Sequence, residues 1–239
     1  VGRIEVVVRD IPVLARRFAE EAEAAARLAA AERGRFSLVL PGGSSAEAFL
    51  LVLATAALDW RRADLFWGDE RAVPPDHPDS NYRLFAELLP PGRAARVHRM
   101  IGEAPGLEAA AADYEREMRE ALGPAPRLDV ALMGMGPDGH VCSLFPGHPG
   151  LRETRRWVIP VTDSPKPPPS RLTLTRPALA LVQTLVIAAF GEAKAEVLRS
   201  AIEDETSSLP AALVARGAAR SLFLLDEPAA SGLDRRRFA

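Results

Sequence analysis

Leu128-Asp129-Val130-Ala131-Leu132-Met133 runs directly into Gly134-Met135-Gly136-Pro137-Asp138-Gly139-His140, and this junction decides the fold. The first, mainly apolar half reads as a strand buried on both faces of a sheet. The glycine-rich second half ends that strand and delivers a carboxylate and an imidazole two residues apart. Imidazole is the side chain best matched to proton transfer near neutral pH, and a neighbouring Asp fixes its tautomer.

Gly134, Gly136 and Gly139 also spell G-x-G-x-x-G, the dinucleotide fingerprint, with Asp163 downstream as a candidate ribose partner. That fingerprint needs a helix whose N-terminus meets the pyrophosphate. Pro146 and Pro149 leave room for barely two turns, and Asp138 would repel the phosphates. The segment is therefore read as a strand-to-loop turn that presents Asp138 and His140, and taken alone it suits a structural histidine as well as a catalytic one.

Outward from this turn, short β-like runs alternate with amphipathic or Ala-rich helical ones. Strands are expected at 4–8, 36–40, 65–67, 97–100, 128–133, 157–161, 172–175, 185–190 and 221–225. Helices are expected at 13–32, from 46 onward, and at 81–89, 107–122, 192–202 and 209–214, with Pro90-Pro91-Gly92 stopping the third. The alternation predicts an α/β fold: a three-layer, mainly parallel sheet with helices on both faces. No linker or repeat divides the chain, which is read as one domain over 1–239.

Composition narrows the function classes. Of 239 residues, 48% are hydrophobic and 26% charged, with a formal net charge of -2. No global basic field advertises nucleic acid or membrane, so an anionic ligand must be held by local groups. Cys142 is the only cysteine, which excludes an intramolecular disulfide and suits a reducing cytoplasm. Zinc-site spacings are absent, and no metal is expected. The first eight residues do not read as a signal peptide, and the most apolar run, 178–190, is too short to span a bilayer. A cytoplasmic protein is expected, a monomer or weak homo-oligomer.

Four loops with unusual chemistry follow strands: 41–45, 68–71, 134–140 and 190–194. In parallel sheets, ligands bind outside the carboxyl ends of the strands, so these loops are expected to converge. Pro41-Gly42-Gly43-Ser44-Ser45 combines close backbone approach at Gly43, the hydroxyls of Ser44 and Ser45, and a helix start, which suits a phosphate. Helix capping by Ser44 or Ser45 is the plainer reading and is compatible with it. The loop lacks the Walker ending, and with no histidine in the last 91 residues Ser44 has no hydrolase partner of the nucleophile-elbow kind. In Gly68-Asp69-Glu70-Arg71, Arg71 would emerge at the ligand end of the sheet, although charged turns are common without function. Lys194, expected in a first helical turn, opposes the helix dipole; it answers to a bound anion or is simply solvated. Arg171 is a further candidate anion ligand, and Asp79-Ser80-Asn81 is expected to cap the next helix.

Taken in order, Pro41 to Ser45, Trp67 to Arg71, Asp79 to Tyr82, Gly134 to His140, Ser143 to Gly147, Ser164 to Pro168, Arg171 to Thr175 and Gly191 to Lys194 resemble the glucosamine-6-phosphate isomerase/6-phosphogluconolactonase family. The resemblance covers nearly the whole chain and implies a NagB/RpiA-like, Rossmann-like fold. The family's deaminases usually carry Asp-Glu-Tyr where this chain has Asp69-Glu70-Arg71, and Asn-Glu-Pro where it has Leu144-Phe145-Pro146. Both departures favour the lactonase branch. The first loop ends Ser44-Ser45-Ala46 where lactonases often have Ser-Thr-Pro, which implies a changed helix entry with the hydroxyl kept.

The resemblance implies hydrolysis of 6-phospho-D-glucono-1,5-lactone to 6-phosphogluconate in the oxidative pentose phosphate pathway, without a cofactor. His140 would activate water and Asp138 would orient it. Arg71 would bind phosphate or stabilise the oxyanion, the residues leaving both open. Gly43, Ser44, Ser45, Asp69, Arg171 and Lys194 would complete the substrate site. The alternatives are a glucosamine-6-phosphate deaminase using Asp69 as base, and a sugar-phosphate sensor without turnover.

Overall fold

The structure is a computed structural model, and it describes residues 3–43, 46–88 and 96–237. In chain order the elements are β1 (Arg3–Val8), α1 (Ile11–Arg33), β2 (Phe36–Leu40), α2 (Ala46–Ala54), β3 (Ala63–Trp67) and β4 (Asp69–Arg71). Then come α3 (Asn81–Leu88), β5 (Arg96–Val97), α4 (Leu107–Leu122), β6 (Leu128–Gly134), β7 (Val158–Val161) and β8 (Arg171–Leu174). The last are α5 (Arg176–Leu179), β9 (Val182–Ala189), α6 (Ala195–Glu203), α7 (Pro210–Gly217) and β10 (Arg220–Leu225).

Seven strands form one sheet in the order β1-β10-β9-β6-β2-β3-β5, and every pairing in it is parallel. Apolar side chains leave its central strands on both faces. Leu38, Leu40, Val130, Leu132, Val186 and Ala188 pack beneath α1, α2 and α3 with Phe18, Phe49 and Phe85. Val39, Ala131, Met133, Leu185 and Ile187 face the opposite way, against α4, α6 and α7. Each fully buried large side chain contributes roughly 1.5–3 kcal/mol, which is why the strands read as continuous apolar runs. The polar exception in β6, Asp129, is buried and accepts from Ser37 N at 2.8 Å and from Arg33 Nη2 at 2.5 Å. The result is a three-layer, Rossmann-like α/β fold.

The path of the chain fixes where a ligand enters. From β2 it winds outward to β3 and β5, then returns to the other side of β2 with β6 and winds the opposite way. The loops after β2 and β6 therefore diverge at a topological switch point, the place where open α/β sheets open a crevice.

A second sheet, β4-β8-β7, is antiparallel. The runs expected at 157–161 and 172–175 are strands, but they belong to this small sheet. β4 itself was not expected, because Asp69-Glu70-Arg71 has none of the apolar character of a strand. Gly68 is the hinge between the sheets: its N–H donates to Leu40 O of β2, and its carbonyl accepts from Leu174 N of β8. A Cβ there would lie 2.9 Å from Cys142 Sγ and 3.0 Å from Met133 Sδ, so the crossing needs glycine.

Other boundaries shift locally. The expected strand 97–100 contracts to β5, with His98 and Met100 buried beyond it. The helix expected from 192 begins as a 3-10 turn, Glu192–Lys194, so Lys194 stands at the N-cap of α6. Residue 89 and the Pro90-Pro91-Gly92 stop lie outside the described residues. Residues 135–148 form tight turns without an α-helix, and Asp163 pairs with His148 Nε2 at 2.9 Å. The helix a dinucleotide fingerprint requires is not formed there.

Candidate active site

The turn after β6 is closed by Gly136 N donating to His140 O and Gly139 N donating to Gly136 O, both at 3.0 Å. This folds Asp138 onto His140, with Asp138 Oδ1 2.5 Å from His140 Nδ1. The Phe145 ring packs against the imidazole at 4.9 Å between centroids. With Nδ1 engaged, Nε2 has no partner among the described residues. Burial is the largest influence on His140 and pushes its pKa down; the Asp138 bond opposes this, and the Lys166 charge adds to the depression. The net effect is a ring that stays neutral below the usual histidine range. Burial also works against the Asp138 carboxylate, but His140 and Lys166 outweigh it and hold that carboxyl low.

β4 alternates its charges between two tasks, as a strand must. Glu70 points inward and accepts from Asn81 N at 2.7 Å, Tyr82 N at 2.9 Å, Ser80 Oγ at 3.0 Å and Arg71 N at 2.8 Å. The first N–H groups of α3 are thus capped by a distant glutamate, while Ser80 Oγ takes the Arg83 N–H at 3.3 Å. The expected cap at 79–81 is shared between Ser80 and Glu70.

Asp69 and Arg71 point to the other side. Asp69 is fully engaged: Oδ1 accepts from Asn81 Nδ2 at 3.1 Å, Oδ2 from Ser143 Oγ at 2.7 Å, and Arg171 Nη1 stands 3.9 Å away. Arg71 is opposite Arg171 in the β4–β8 register. Its Nη1 donates to Asp79 O at 2.7 Å, and its buried Nε has no hydrogen-bond partner among the described residues. Two guanidiniums facing across one strand pair are destabilising unless an anion joins them. Burial, then the Arg71 charge, hold the Arg171 pKa down, with Asp69 opposing. Much of Arg171 is committed to the proline loop, donating from Nε to Pro168 O and from Nη2 to Lys166 O and Pro167 O.

Lys194 reaches the same region from the turn after β9. Asp226, one residue past β10, fixes that turn by accepting the Gly191 N–H with both oxygens, at 3.0 and 3.1 Å. Burial depresses the Lys194 pKa and the Lys166 charge adds to this, against Asp226. The Lys194 ammonium makes no hydrogen bond or ion pair among the described residues.

These groups line one cleft of about 230 Å³: Gly43, Asp69, Arg71, His140, Arg171 and Lys194, together with Asn81 and Cys142. Asp138 stands behind His140, outside the lining. Ser44 and Ser45 lie outside the described residues. A roomier cleft of about 470 Å³ beside α4 holds none of these groups. Among the described residues no cluster of His, Cys, Asp or Glu is suited to a metal ion. Cys142 packs its sulfur 3.2 Å from Met133 Sδ, and burial pushes its thiol pKa well up, so it is a packing group.

Three contributors were not singled out from the sequence: Lys166, Asn81 and Ser143. Lys166 had a local signal, a lone cation in Ser164-Pro165-Lys166-Pro167-Pro168-Pro169. Asn81, expected only in a helix cap, and Ser143 act through Asp69 from 12 and 74 residues away, which no local pattern reveals.

The family model described as glucosamine-6-phosphate isomerases/6-phosphogluconolactonase matches residues 9–223. A 6-phosphogluconolactonase of Streptomyces coelicolor is 44% identical over 234 residues, covering 89% of this chain and 90% of the relative. A human 6-phosphogluconolactonase is 42% identical over 220 residues, covering 87% and 85%. Among solved structures, 6-phosphogluconolactonase from Thermotoga maritima superposes with a TM-score of 0.81 at 29% identity, covering 95% of this chain and 100% of that one. A monomeric glucosamine-6-phosphate deaminase superposes at 0.75 with 22% identity, covering 97% and 100%, and so shares the fold. With a match that spans most of its length and these relatives, the chain belongs to the glucosamine-6-phosphate isomerase/6-phosphogluconolactonase family.

Proposed function

We propose that this protein hydrolyses 6-phospho-D-glucono-1,5-lactone to 6-phosphogluconate, with His140 as general base. The observation that carries the chemistry is the Asp138–His140 pair, 2.5 Å apart at Nδ1, whose imidazole lines a cleft together with Arg71, Arg171 and Lys194. The relatives named as 6-phosphogluconolactonases support the substrate.

In this reading, His140 Nε2 takes a proton from water as the oxygen attacks the lactone carbonyl carbon. The tetrahedral oxyanion collapses, the bond from that carbon to the ring oxygen breaks, and the imidazolium returns the proton to the leaving oxygen. Asp138 holds the tautomer and balances the transient imidazolium. Arg71, Lys194 and the Gly43-Ser44-Ser45 loop bind the phosphate, which turns remote binding energy into orientation of the carbonyl. Arg171 serves the same anion mainly by holding the proline loop and Asp69.

The deaminase alternative needs Asp69 as a free base. Here both of its oxygens accept hydrogen bonds, which favours the lactonase. A single free cysteine fits a reducing cytoplasm, and no described helix is long and apolar enough to cross a membrane. The test is NMR of freshly generated lactone against its spontaneous decay, beside ammonia release from glucosamine 6-phosphate. Accelerated lactone decay without ammonia is expected; ammonia release without acceleration overturns the proposal.

A further inference from the structure

The proline loop between β7 and β8 brings a cation to the acid–base pair on the Nδ1 side of the ring. Lys166 Nζ stands 3.3 Å from Asp138 Oδ1 and 3.2 Å from His140 Nδ1. Lys166 is not among the residues that line the cleft.

The loop's backbone is tied down. Ser164 Oγ donates to Lys166 O at 2.8 Å and accepts the Lys166 N–H at 3.2 Å. Ser164 N donates to Pro169 O at 3.0 Å, and Arg171 Nη2 donates to Lys166 O at 3.1 Å. Fixing a lysine's stem costs rotamer entropy, so a lysine held at both ends of its reach has a partner worth that cost.

Proton accounting defines the partner. A carboxylate oxygen and a bare imidazole nitrogen 2.5 Å apart would oppose lone pairs, so Nδ1 carries a proton and donates it to Asp138. The Lys166 hydrogen bond therefore goes to Asp138. Its charge then lies beside a ring that becomes cationic only when Nε2 takes a second proton.

We propose that Lys166 is a positioning residue that locks the Asp138 carboxylate onto His140 Nδ1 and keeps the ring in the neutral form whose Nε2 accepts a proton. This rests on the reading of His140 as the base. The charged groups around the ring are Asp138 on its own turn, Lys166 on the proline loop and Asp69 on β4, with Arg71, Arg171 and Lys194 across the cleft. The two carboxylates favour the imidazolium; Lys166 is the cation in direct contact that opposes it. Without Lys166, Asp138 loses its second partner and the imidazolium–carboxylate pair gains.

The test is NMR titration of His140 in the free, histidine-labelled protein as wild type, Lys166→Met and Lys166→Arg, with kcat/KM against pH for the same three. Lys166→Met is expected to raise the His140 pKa and to move the acid limb of kcat/KM upward with it. Activity at pH 6 then falls about tenfold, and the loss narrows as pH rises. Lys166→Arg keeps both near wild type. Should Lys166→Met not fold, Lys166→Gln gives the same readouts. An unmoved His140 pKa, or an equal loss at every pH in Lys166→Met and Lys166→Arg alike, overturns the proposal. The two readings fail separately. The titration needs no turnover, whereas undiminished hydrolysis by His140→Ala would remove the base and leave the titration result standing.

Discussion

His140 lies so close to Gly136 that a Cβ at position 136 would stand 2.0 Å from the imidazole Cε1 and Nδ1 and 2.6 Å from Asp138 Oδ1. The absent side chain is what lets the Asp–His pair lie across its own turn. Gly136→Ala is therefore expected to displace the imidazole, lowering kcat about 100-fold, because small misplacements of a reacting group are costly. The overpacking should cost about 1–3 kcal/mol, leaving a folded protein. Lactone kinetics together with a thermal melt check this; full activity in Gly136→Ala would show that the pair does not need its observed position.

Burial, helped by Lys166, depresses the His140 pKa despite Asp138. Activity is therefore expected to be present at neutral pH and lost as pH falls through a value below the usual histidine range. Asp138→Asn removes the carboxylate that fixes the tautomer and should lower kcat about 100-fold at every pH. A pH–rate profile of both proteins reads this directly.

A second histidine carries the opposite shift. His98 is buried between Asp64, at 2.9 Å from Nε2, and Glu117, at 2.6 Å from Nδ1, with the Phe66 ring stacked on it. Burial works against its charge, but the two carboxylates outweigh burial and raise its pKa. A raised folded-state value means that its stabilisation is complete below the unfolded pKa and is lost as pH rises through the folded one. His98→Gln is expected to cost about 2 kcal/mol at pH 5.5 and less at pH 9, as read by urea unfolding.

Glu70 ties β4 to the start of α3 by accepting from Ser80 Oγ, Asn81 N and Tyr82 N, and it also takes the Arg71 N–H of its own strand. Its removal leaves buried N–H groups of α3 without partners. Glu70→Ala should destabilise the fold by about 2–3 kcal/mol. Activity should fall further than stability predicts, since β4 also carries Asp69 and Arg71. A variant as stable as wild type would place the helix cap elsewhere.

The central sheet was legible because its strands are apolar on both faces: β2 and α4 were read to the residue from Phe36–Leu40 and Leu107–Leu122. The convergence of the loops near 41–43, 69–71, 134–140 and 194 followed from their common place after strands. The small antiparallel sheet was not legible. Asp69, Glu70 and Arg71 pair with β8 some hundred residues away, and that pairing pays for their polarity in ways local propensity does not register. Lys166 was visible only as a letter between prolines. Its meaning depends on the Arg171 hydrogen bonds that aim the loop at Asp138.

The central claim is that this cleft hydrolyses the lactone through His140. Its most direct test is the initial rate of lactone disappearance, by NMR, with equal amounts of wild type and His140→Ala, beside calorimetric binding of 6-phosphogluconate to both. The account predicts a rate well above spontaneous decay for the wild type, a loss of about 100-fold or more in His140→Ala, and similar product binding by the two. Equal rates with both proteins would contradict it.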